Sequence, residues 1–320
     1  MASRRGHFWV PGALEPTGTG HVQKGAMYVE WLAPETVTHP FPVVLVHGGG
    51  GQGTDWLSTP DGRPGWAYRF ASEGFAVYVV DRPGYGRSPY HPSVLGAPGD
   101  QTSSETASFL FAPPDAAGHT QWPWGRSAGD AELEQLAAGM SFLLDDAEQS
   151  QRIDGQRLAS LLERIGPSII VTHSAGAPAG WLALNAQPSL VAGVVAVEPM
   201  GPPYFDVPGF PSLVWGLTAT PPILEPPVAD VTEIADGIGN RRIVGFDDAP
   251  VLVVAGGSSP FGQVAGPAIA TFINEAGGAA TFLSLADRGI EGNGHGLIFE
   301  ANSEKTIEPV LEWITTAVEG

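Results

Sequence analysis

A serine lies at a predicted corner between a buried strand and a tightly packed helix. Residues 168–173 are rich in β-branched apolar side chains and predict the strand, and small residues typical of a packed helix follow Ser174. A hydroxyl on such a corner lies beside the first free N–H groups of the helix, which suits attack on a carbonyl carbon. The alternative is a buried serine in an ordinary turn. The run Thr172-His173-Ser174-Ala175-Gly176 fits the pattern Gly-x-Ser-x-Gly except for threonine at its first position.

A serine nucleophile needs a base that removes its proton, and His295 is the candidate. The chain has eight histidines, and His295 is the one that follows Ser174. It lies among glycines at residues 292–296, where a mobile imidazole could swing to the hydroxyl. The alternative is a solvent-exposed histidine in a loop.

The base in turn needs an acid that orients it, and Glu198 is the first choice. The strand predicted at residues 191–197 ends directly in Glu198. Neighbouring strands lie about 4.8 Å apart, so a carboxylate at that strand end can reach the same histidine. The alternative is a glutamate that only marks the end of a strand. Other carboxylates that could serve are Asp206, Asp247, Asp287 and Glu291.

A glycine run at residues 48–51 follows another predicted strand and could bind a developing negative charge. Backbone without side chains can approach a bound group closely, so we expect the N–H groups of Gly49 and Ala175 to form an oxyanion hole. Each such donor is typically worth about 3 kcal/mol of transition-state stabilisation. A phosphate-binding loop is excluded because no Gly-Lys-Ser/Thr follows the run. We interpret His47 and His173 as side chains that stabilise the two turns.

These groups require a parallel sheet whose strand ends meet at one edge. Strand and helix patterns alternate along the chain, which predicts an α/β fold with a mostly parallel central sheet flanked by helices. An antiparallel hairpin is expected at residues 7–32, and helical spacing predicts helices at 130–149 and 156–165. Buried strands are predicted at residues 42–46, 75–80, 168–173, 191–197, 250–255 and 280–285.

Two segments without regular periodicity are predicted to cover the site. They are rich in proline, glycine and scattered aromatic residues, and long irregular stretches in a compact domain usually act as loops or lids. We therefore expect a single domain over residues 1–320, with cap or lid segments at about 89–128 and 199–249 around a largely apolar pocket. The expected pocket residues are Gly50, Trp124, Tyr204, Phe205 and Trp215.

The composition excludes several classes of partner. The chain has 15 Lys+Arg against 34 Asp+Glu, a formal net charge of −19, so nucleic acid and anionic membranes are repelled. The absence of cysteine excludes disulfides, thiol catalysis and cysteine-based metal sites. No apolar run approaches the length of a membrane span or follows Arg4 and Arg5, which predicts a cytoplasmic protein, although a removed signal peptide would leave no trace.

Together these motifs resemble those of the α/β-hydrolase superfamily, across nearly the whole chain. The chain order of serine, acid and histidine agrees with that superfamily. The residues that carry the resemblance are His47-Gly48, Asp81-x-x-Gly84-x-Gly86-Arg87-Ser88, Thr172-His173-Ser174-Ala175-Gly176 and Gly294-His295. The run Thr59-Pro60-Asp61-Gly62-Arg63-x-Gly65-Trp66, with Glu198 as acid, is most similar to the bacterial esterase 713-like branch.

The resemblance implies a serine hydrolase of carboxylic esters without a cofactor or metal, with a cap over the site and often as a homodimer. Ser174 would attack the ester, His295 would accept its proton, and Glu198 would stabilise the imidazolium. The apolar pocket favours a neutral, hydrophobic ester or lactone as the small-molecule substrate. The alternatives are an amidase or a carbon–carbon bond hydrolase with the same triad, and a non-catalytic ligand-binding protein on this fold.

Overall fold

An eight-stranded sheet forms the centre of the molecule, for which the computed structural model describes residues 3–115, 118–235 and 237–320. Six neighbouring strands are parallel, and two antiparallel strands extend one edge. The α/β fold with a mostly parallel sheet, predicted above, is confirmed. Across the sheet the order is β1 (Ser3–Val10), β4 (Met27–Pro34), β6 (Val77–Asp81), β5 (Val43–Val46), β9 (Ser168–His173), β10 (Val191–Val197), β13 (Pro250–Ala255) and β14 (Ala279–Ser284).

Three small two-stranded sheets lie outside the central one in the described ranges. The segments predicted as an opening hairpin do pair antiparallel, as β1 and β4, but a separate hairpin is inserted between them. The small sheets pair β2 (Ala13–Thr17) with β3 (Gly20–Lys24), β7 (Pro98–Gln101) with β8 (Phe142–Leu144), and β11 (Leu224–Glu225) with β12 (Arg242–Ile243).

Helices cover both faces of the central sheet. Of the helices in the described ranges, none combines the length and the apolar composition that crossing a bilayer requires. They are α1 (Trp66–Glu73), α2 (Pro92–Leu95), α3 (Ser104–Phe111), α4 (Ala131–Ala137), α5 (Ala147–Ile165), α6 (Ala177–Ala186), α7 (Gly262–Glu275), α8 (Ser303–Thr306) and α9 (Glu308–Trp313), which continues as a π-helical turn (Ile314–Val318).

The core is divided between the two faces of the sheet because successive side chains of a strand point in opposite directions. In β5, Val44 and Val46 pack in the cluster that contains α6 and α7, whereas Val43 and Leu45 pack in the cluster that contains α1 and α9. All four side chains are fully buried, as expected for a parallel sheet covered on both faces. Polar chemistry is therefore confined to the ends of the strands.

The prediction of a single helix at residues 130–149 is wrong. The chain instead forms α4, the short strand β8 and the beginning of α5, which also contains the second predicted helix. The N–H of Ser141 donates to the carbonyl of Gly50, so the chain leaves the helical path to pair with the glycine run and with β7. The spacing of Leu143 and Leu144 in the sequence fits the apolar face of a helix, but in the structure both residues line a cavity.

The two segments predicted as caps are irregular for most of their length. The first contains α2, β7 and α3, and the second contains β11, β12 and a 3₁₀ turn at Val231–Ile234. Both segments contribute side chains to one cavity that also contains Ser174 and His295. Their role as caps on a single domain stays a prediction.

Candidate active site

Ser174 lies at the carboxyl end of β9, in a short 3₁₀ turn (Ser174–Gly176) that leads into α6. Its φ of 51° is in the left-handed region, which is strained for a residue with a side chain. The two neighbouring elements hold it there, because β9 is hydrogen-bonded on both edges and α6 is almost entirely buried. The turn thus presents a hydroxyl at the edge of the sheet.

Two glycines allow this turn to pack closely. A Cβ on Gly176 would lie 2.3 Å from the carbonyl oxygen of His47, and a Cβ on Gly180 would lie 2.9 Å from Cγ2 of Thr172. The first glycine of the Gly-x-Ser-x-Gly pattern is absent at position 172. Gly180 lies one turn into α6, and because it has no side chain, the methyl group of Thr172 fits against it.

The structure brings together the serine, the histidine and the glutamate that the sequence singled out. Nε2 of His295 lies 2.9 Å from Oγ of Ser174, and Nδ1 lies 2.9 Å from Oε2 of Glu198. An ionised carboxylate only accepts hydrogen bonds, so we assign the imidazole proton to Nδ1. Nε2 is then unprotonated and can accept the proton of the serine hydroxyl.

Glu198 follows β10 and is also held in a left-handed conformation, with a φ of 49°. Its carboxylate is fully buried, where Oε1 accepts the N–H of Gly256 at 2.7 Å and Oε2 accepts the hydroxyl of Ser259 at 2.6 Å. A Cβ on Gly262 would lie 2.4 Å from Oε1, so the start of α7 must be glycine. The loop after β13 therefore supplies donors to an acid that comes from the neighbouring strand.

The imidazole of His295 is already in place and is only 7% exposed, unlike the mobile side chain expected from its glycine-rich loop. The Phe111 ring of α3 stacks on it with centroids 5.5 Å apart. The carbonyl oxygen of His295 accepts a hydrogen bond from Nε2 of His173 at 3.0 Å. Both the ring and the backbone of the candidate base are thus fixed by neighbours.

A buried carboxylate, Glu300, fixes the residues just before His295. Its two oxygens accept the N–H of Gly294, the side-chain amide of Asn293 and Nε2 of His119 at 2.7–2.9 Å. Arg126 lies 3.2 Å from Nδ1 of His119. Because arginine only donates, Nδ1 is the acceptor and Nε2 carries the proton that faces Glu300. This network joins the first cap segment to the loop of the candidate base.

We expect Glu300→Gln to lower kcat by about 10- to 100-fold and to change KM by less than about three-fold. Every contact of this carboxylate is a donor, so the new amide NH₂ must face one of them and displace the loop that carries His295. Steady-state kinetics on an aryl ester measure the effect. The exposed Glu304, on the same segment, is the control, and Glu304→Gln should retain the wild-type kcat. A wild-type kcat in Glu300→Gln would contradict the role.

The predicted oxyanion residues lie beside Ser174. Gly49 and Ala175 both line the cavity, and a Cβ on Gly49 would lie 3.2 Å from Cβ of Ala175. A Cβ on Gly48 would lie 3.1 Å from Cβ of Ser174, so the glycine run approaches the serine more closely than other residues could. Within the described ranges, neither the N–H of Gly49 nor that of Ala175 has a hydrogen-bond acceptor. Both are free to bind a negatively charged oxygen.

The two other histidines of this region, His47 and His173, hold turns together, as interpreted from the sequence. Nδ1 of His47 lies 2.9 Å from the carbonyl oxygen of Gly48, and Nε2 accepts the N–H of Arg82 at 2.9 Å. Burial, together with the charge of Arg82, lowers the pKa of His47 to about 3. Burial, together with the neighbouring His295, lowers the pKa of His173 to about 3. Both rings are therefore neutral at pH 7.

We expect His173→Gln to make the folded state less sensitive to acid. Between pH 6.5 and 3 the unfolded chain binds a proton at His173 that the folded chain excludes, so this residue contributes stability that is lost as the pH falls. Removing His173 should reduce the slope of the unfolding free energy against pH by about 1.4 kcal/mol per pH unit between pH 6 and 4. Urea unfolding at several pH values measures this slope.

The exposed His21 supplies the control, since His21→Gln should leave the slope unchanged. Burial raises the pKa of Asp55 to about 7, so this carboxyl makes the folded state more stable as the pH falls. Its contribution is the same in wild type, His173→Gln and His21→Gln and does not affect the comparison of slopes. Equal slopes for wild type and His173→Gln would contradict the prediction.

A cavity of about 670 Å³ opens beside Ser174 and His295. Its charged lining residues are Asp100 and Asp145, and none of the described residues that line it is lysine or arginine. The apolar residues that line it include Phe109, Leu110, Phe111, Met140, Leu143, Leu144, Pro199, Met200, Phe205, Val207, Phe210, Pro211 and Phe261.

Of the five predicted pocket residues, Phe205 lines the cavity, whereas Gly50, Trp124, Tyr204 and Trp215 are not among the described residues that line it. The carbonyl of Gly50 accepts a hydrogen bond from the N–H of Ser141, so Ser141 lies beside Gly50. The three large rings are partly buried and pack against the core clusters instead. Trp124 lies edge-on to Trp122, Tyr204 lies edge-on to Phe272 of α7, and Trp215 packs against the core cluster of α6 and α7.

Several residues around the site were not singled out from the sequence. Arg82 and Asp154 form a buried ion pair beside the glycine run, and Glu300 supports the base loop. Some signals were present: Arg82 stands directly after a buried strand, and Glu300 follows the apolar run at 297–299. Charged side chains are almost never fully buried unless they are paired, so a charged residue inside a buried region points to a partner.

Comparisons with known proteins agree with this fold. The model of the "Alpha/beta hydrolase family" matches residues 43–308. The protein named "Probable secreted lipase phiG" from Fungal sp. (strain ATCC 74256) is 33% identical over 318 residues, covering 92% of this chain and 87% of that protein. A solved structure of a bacterial esterase matches with a TM-score of 0.72 and 23% identity, covering 98% of this chain and 96% of that chain, a likeness that shows the fold alone. This chain belongs to the α/β-hydrolase family.

Proposed function

We propose that the protein is a serine hydrolase that cleaves a neutral, largely hydrophobic carboxylic ester or lactone through an acyl-enzyme. The observation that carries the proposal is the continuous hydrogen-bonded chain from Glu198 through His295 to Ser174, with each contact at 2.9 Å. This series of hydrogen bonds ends at the hydroxyl of Ser174, which faces the cavity where a substrate carbonyl group could bind.

The geometry supports two successive displacements. Oγ of Ser174 attacks the ester carbonyl carbon and its proton passes to Nε2 of His295, while the carbonyl oxygen becomes an oxyanion facing Gly49 and Ala175. The carbon–oxygen bond of the leaving group then breaks, and the leaving alkoxide takes the proton from His295. Water, deprotonated by the same imidazole, attacks the acyl carbon. The bond between this carbon and Oγ of Ser174 then breaks, and Oγ takes the proton back from His295, which releases the acid and the free serine. Glu198 stabilises the imidazolium in both steps.

The composition of the cavity supports the substrate type. Phenylalanine, leucine and other apolar side chains cover most of its lining, which favours hydrophobic acyl and alcohol groups. Asp100 and Asp145 repel anionic substrates, and no lysine or arginine among the described lining residues offsets them. The relative named as a lipase, at 33% identity, also supports ester hydrolysis.

A turnover screen tests the proposal. The purified protein is assayed with 4-nitrophenyl esters of increasing acyl length, with lactones, and with the matching 4-nitroanilides, alongside labelling by a fluorophosphonate. We expect ester or lactone turnover, labelling at Ser174, and little turnover of the anilides. Turnover of anilides alone would favour an amidase, and an unlabelled, inactive folded protein would favour a ligand-binding role.

Two expectations about the environment of the enzyme stay predictions. The name of the fungal relative describes that protein as secreted, and the location of this protein stays a prediction. The homodimer implied by the family resemblance is checked by light scattering of the purified protein.

A further inference from the structure

The peptide group between Gly48 and Gly49 is held from its carbonyl side. The oxygen of Gly48 accepts a hydrogen bond from Nη2 of Arg82 at 2.8 Å and lies 2.9 Å from Nδ1 of His47. The C=O and N–H of a trans peptide point in opposite directions. Fixing the Gly48 oxygen therefore fixes the direction of the Gly49 N–H, which has no acceptor among the described residues and belongs to the cavity lining.

The contact from His47 is a donated hydrogen bond. The backbone N–H of Arg82 donates to Nε2 of His47, so this nitrogen carries no proton. The proton of the neutral ring must then be on Nδ1, where it points at the Gly48 oxygen. Burial and the charge of Arg82 lower the pKa of His47 to about 3, which keeps the ring in this neutral form at pH 7.

Arg82 is itself oriented by a carboxylate from a distant helix. Its Nη1 donates to Oδ2 of Asp154 in α5 at 2.8 Å, and the two side chains are only 5% and 2% exposed. The guanidinium also lies over the ring of Tyr85, 4.6 Å from its centroid. The planar fork of arginine thus spans from Asp154 to the Gly48 carbonyl, with little freedom to move.

We propose that Arg82, held by Asp154 and assisted by His47, is a positioning residue that aims the Gly49 N–H at the oxyanion of the transition state. This inference rests on the proposed function, because it assigns Gly49 to the oxyanion hole. The guanidinium touches neither the serine nor the cavity and acts through one peptide group. Its positive charge also polarises that peptide, which strengthens the N–H as a donor.

The test replaces the ion pair by apolar side chains of similar size, in the double variant Arg82→Met/Asp154→Leu. Such replacements of buried pairs often preserve stability, so folding and catalysis can be separated. We expect kcat on an aryl ester to fall about 10- to 100-fold, because removal of an oxyanion donor typically costs 10²- to 10³-fold and here the donor is only misdirected. KM should change by less than about three-fold.

Two inhibitors distinguish positioning from general damage. A trifluoromethyl ketone forms an oxyanion with the serine, whereas the secondary alcohol of the same skeleton binds without one. The double variant should bind the ketone about 10- to 100-fold more weakly and the alcohol with unchanged affinity. Arg82→Lys, which keeps one donor for the Gly48 carbonyl, should recover most of the loss. If the double variant does not fold, Asp154→Asn serves as the test, because it leaves the guanidinium without its orienting carboxylate and should weaken binding of the ketone in the same way.

Arg87→Met is the matched control, because Arg87 pairs with Asp81 and Glu30 at the other end of the same loop. It should lower thermal stability and leave kcat and the affinity for the ketone unchanged. A folded double variant, or a folded Asp154→Asn, with wild-type kcat and wild-type ketone affinity would overturn the inference. Failure of the proposed function is recognised separately, since the wild type itself would then neither hydrolyse esters nor bind the ketone.

Discussion

Ser174→Ala is expected to lower kcat for ester hydrolysis by about 10⁴-fold or more and to abolish labelling by a fluorophosphonate. Oγ of Ser174 lies 2.9 Å from Nε2 of His295, and no other hydroxyl of the described residues lies within hydrogen-bond distance of this imidazole. The variant should fold, because alanine removes one oxygen from the turn and changes no backbone contact. Kinetics on an aryl ester and mass spectrometry after labelling measure the two losses.

Two further variants sharpen this experiment. Ser174→Gly should be as inactive as alanine but more stable by about 1 kcal/mol, because glycine adopts the φ of 51° without strain. Ser88→Ala should keep both activity and labelling, since the hydroxyl of Ser88 donates to the carbonyl of Asp81 and contacts no histidine. Persistent turnover or labelling in Ser174→Ala would remove the nucleophile from the proposed mechanism.

Glu198→Gln is expected to lower kcat by about 10³- to 10⁴-fold with only a small change in KM. The carboxylate faces three donors, which come from Gly256, Ser259 and His295. A glutamine must turn its NH₂ toward one of them. If it faces Nδ1 of the imidazole, the ring proton moves to Nε2, and the base can no longer accept the proton of the serine.

Steady-state kinetics and the rate of fluorophosphonate labelling should fall together in this variant. Glu291→Gln is the control, because Glu291 is an exposed carboxylate close to His295 in the sequence, and it should behave as wild type. A Glu198→Gln enzyme that retains more than about a tenth of the wild-type kcat would show that another group orients the base.

The sequence predicted the sheet and the three converging side chains because both depend on local patterns. A buried parallel strand is a continuous apolar run, and its end is marked by polar residues: Glu198 directly follows β10, and Ser174 follows Thr172 and His173 at the end of β9. The parallel topology then brings such ends to one edge. Their catalytic roles stay predictions until the variants above are measured.

The lining of the cavity could not be predicted in the same way. Trp124, Tyr204 and Trp215 occur in irregular segments, where no periodicity shows which side of the chain faces the core. A large ring is stabilised equally well in a core or in a pocket. The pair of Arg82 and Asp154 was missed for a related reason: the two residues are 72 positions apart, and only the packing of α5 against the sheet brings them together.

The pairing of β9 with β10 sets His173 opposite Val197, so Ser174 and Glu198 are the next residues of two neighbouring strands. The spacing between the proposed nucleophile and acid is therefore determined by the main-chain ladder of the sheet. The chain departs into the segment 199–249 only after Glu198, and it returns to the sheet at Pro250. We expect changes within residues 205–211, which contribute to the cavity lining, to alter which molecules are admitted without moving these two groups. On this expectation, substrate range could diversify through one stretch of the gene while the chemistry is preserved in another.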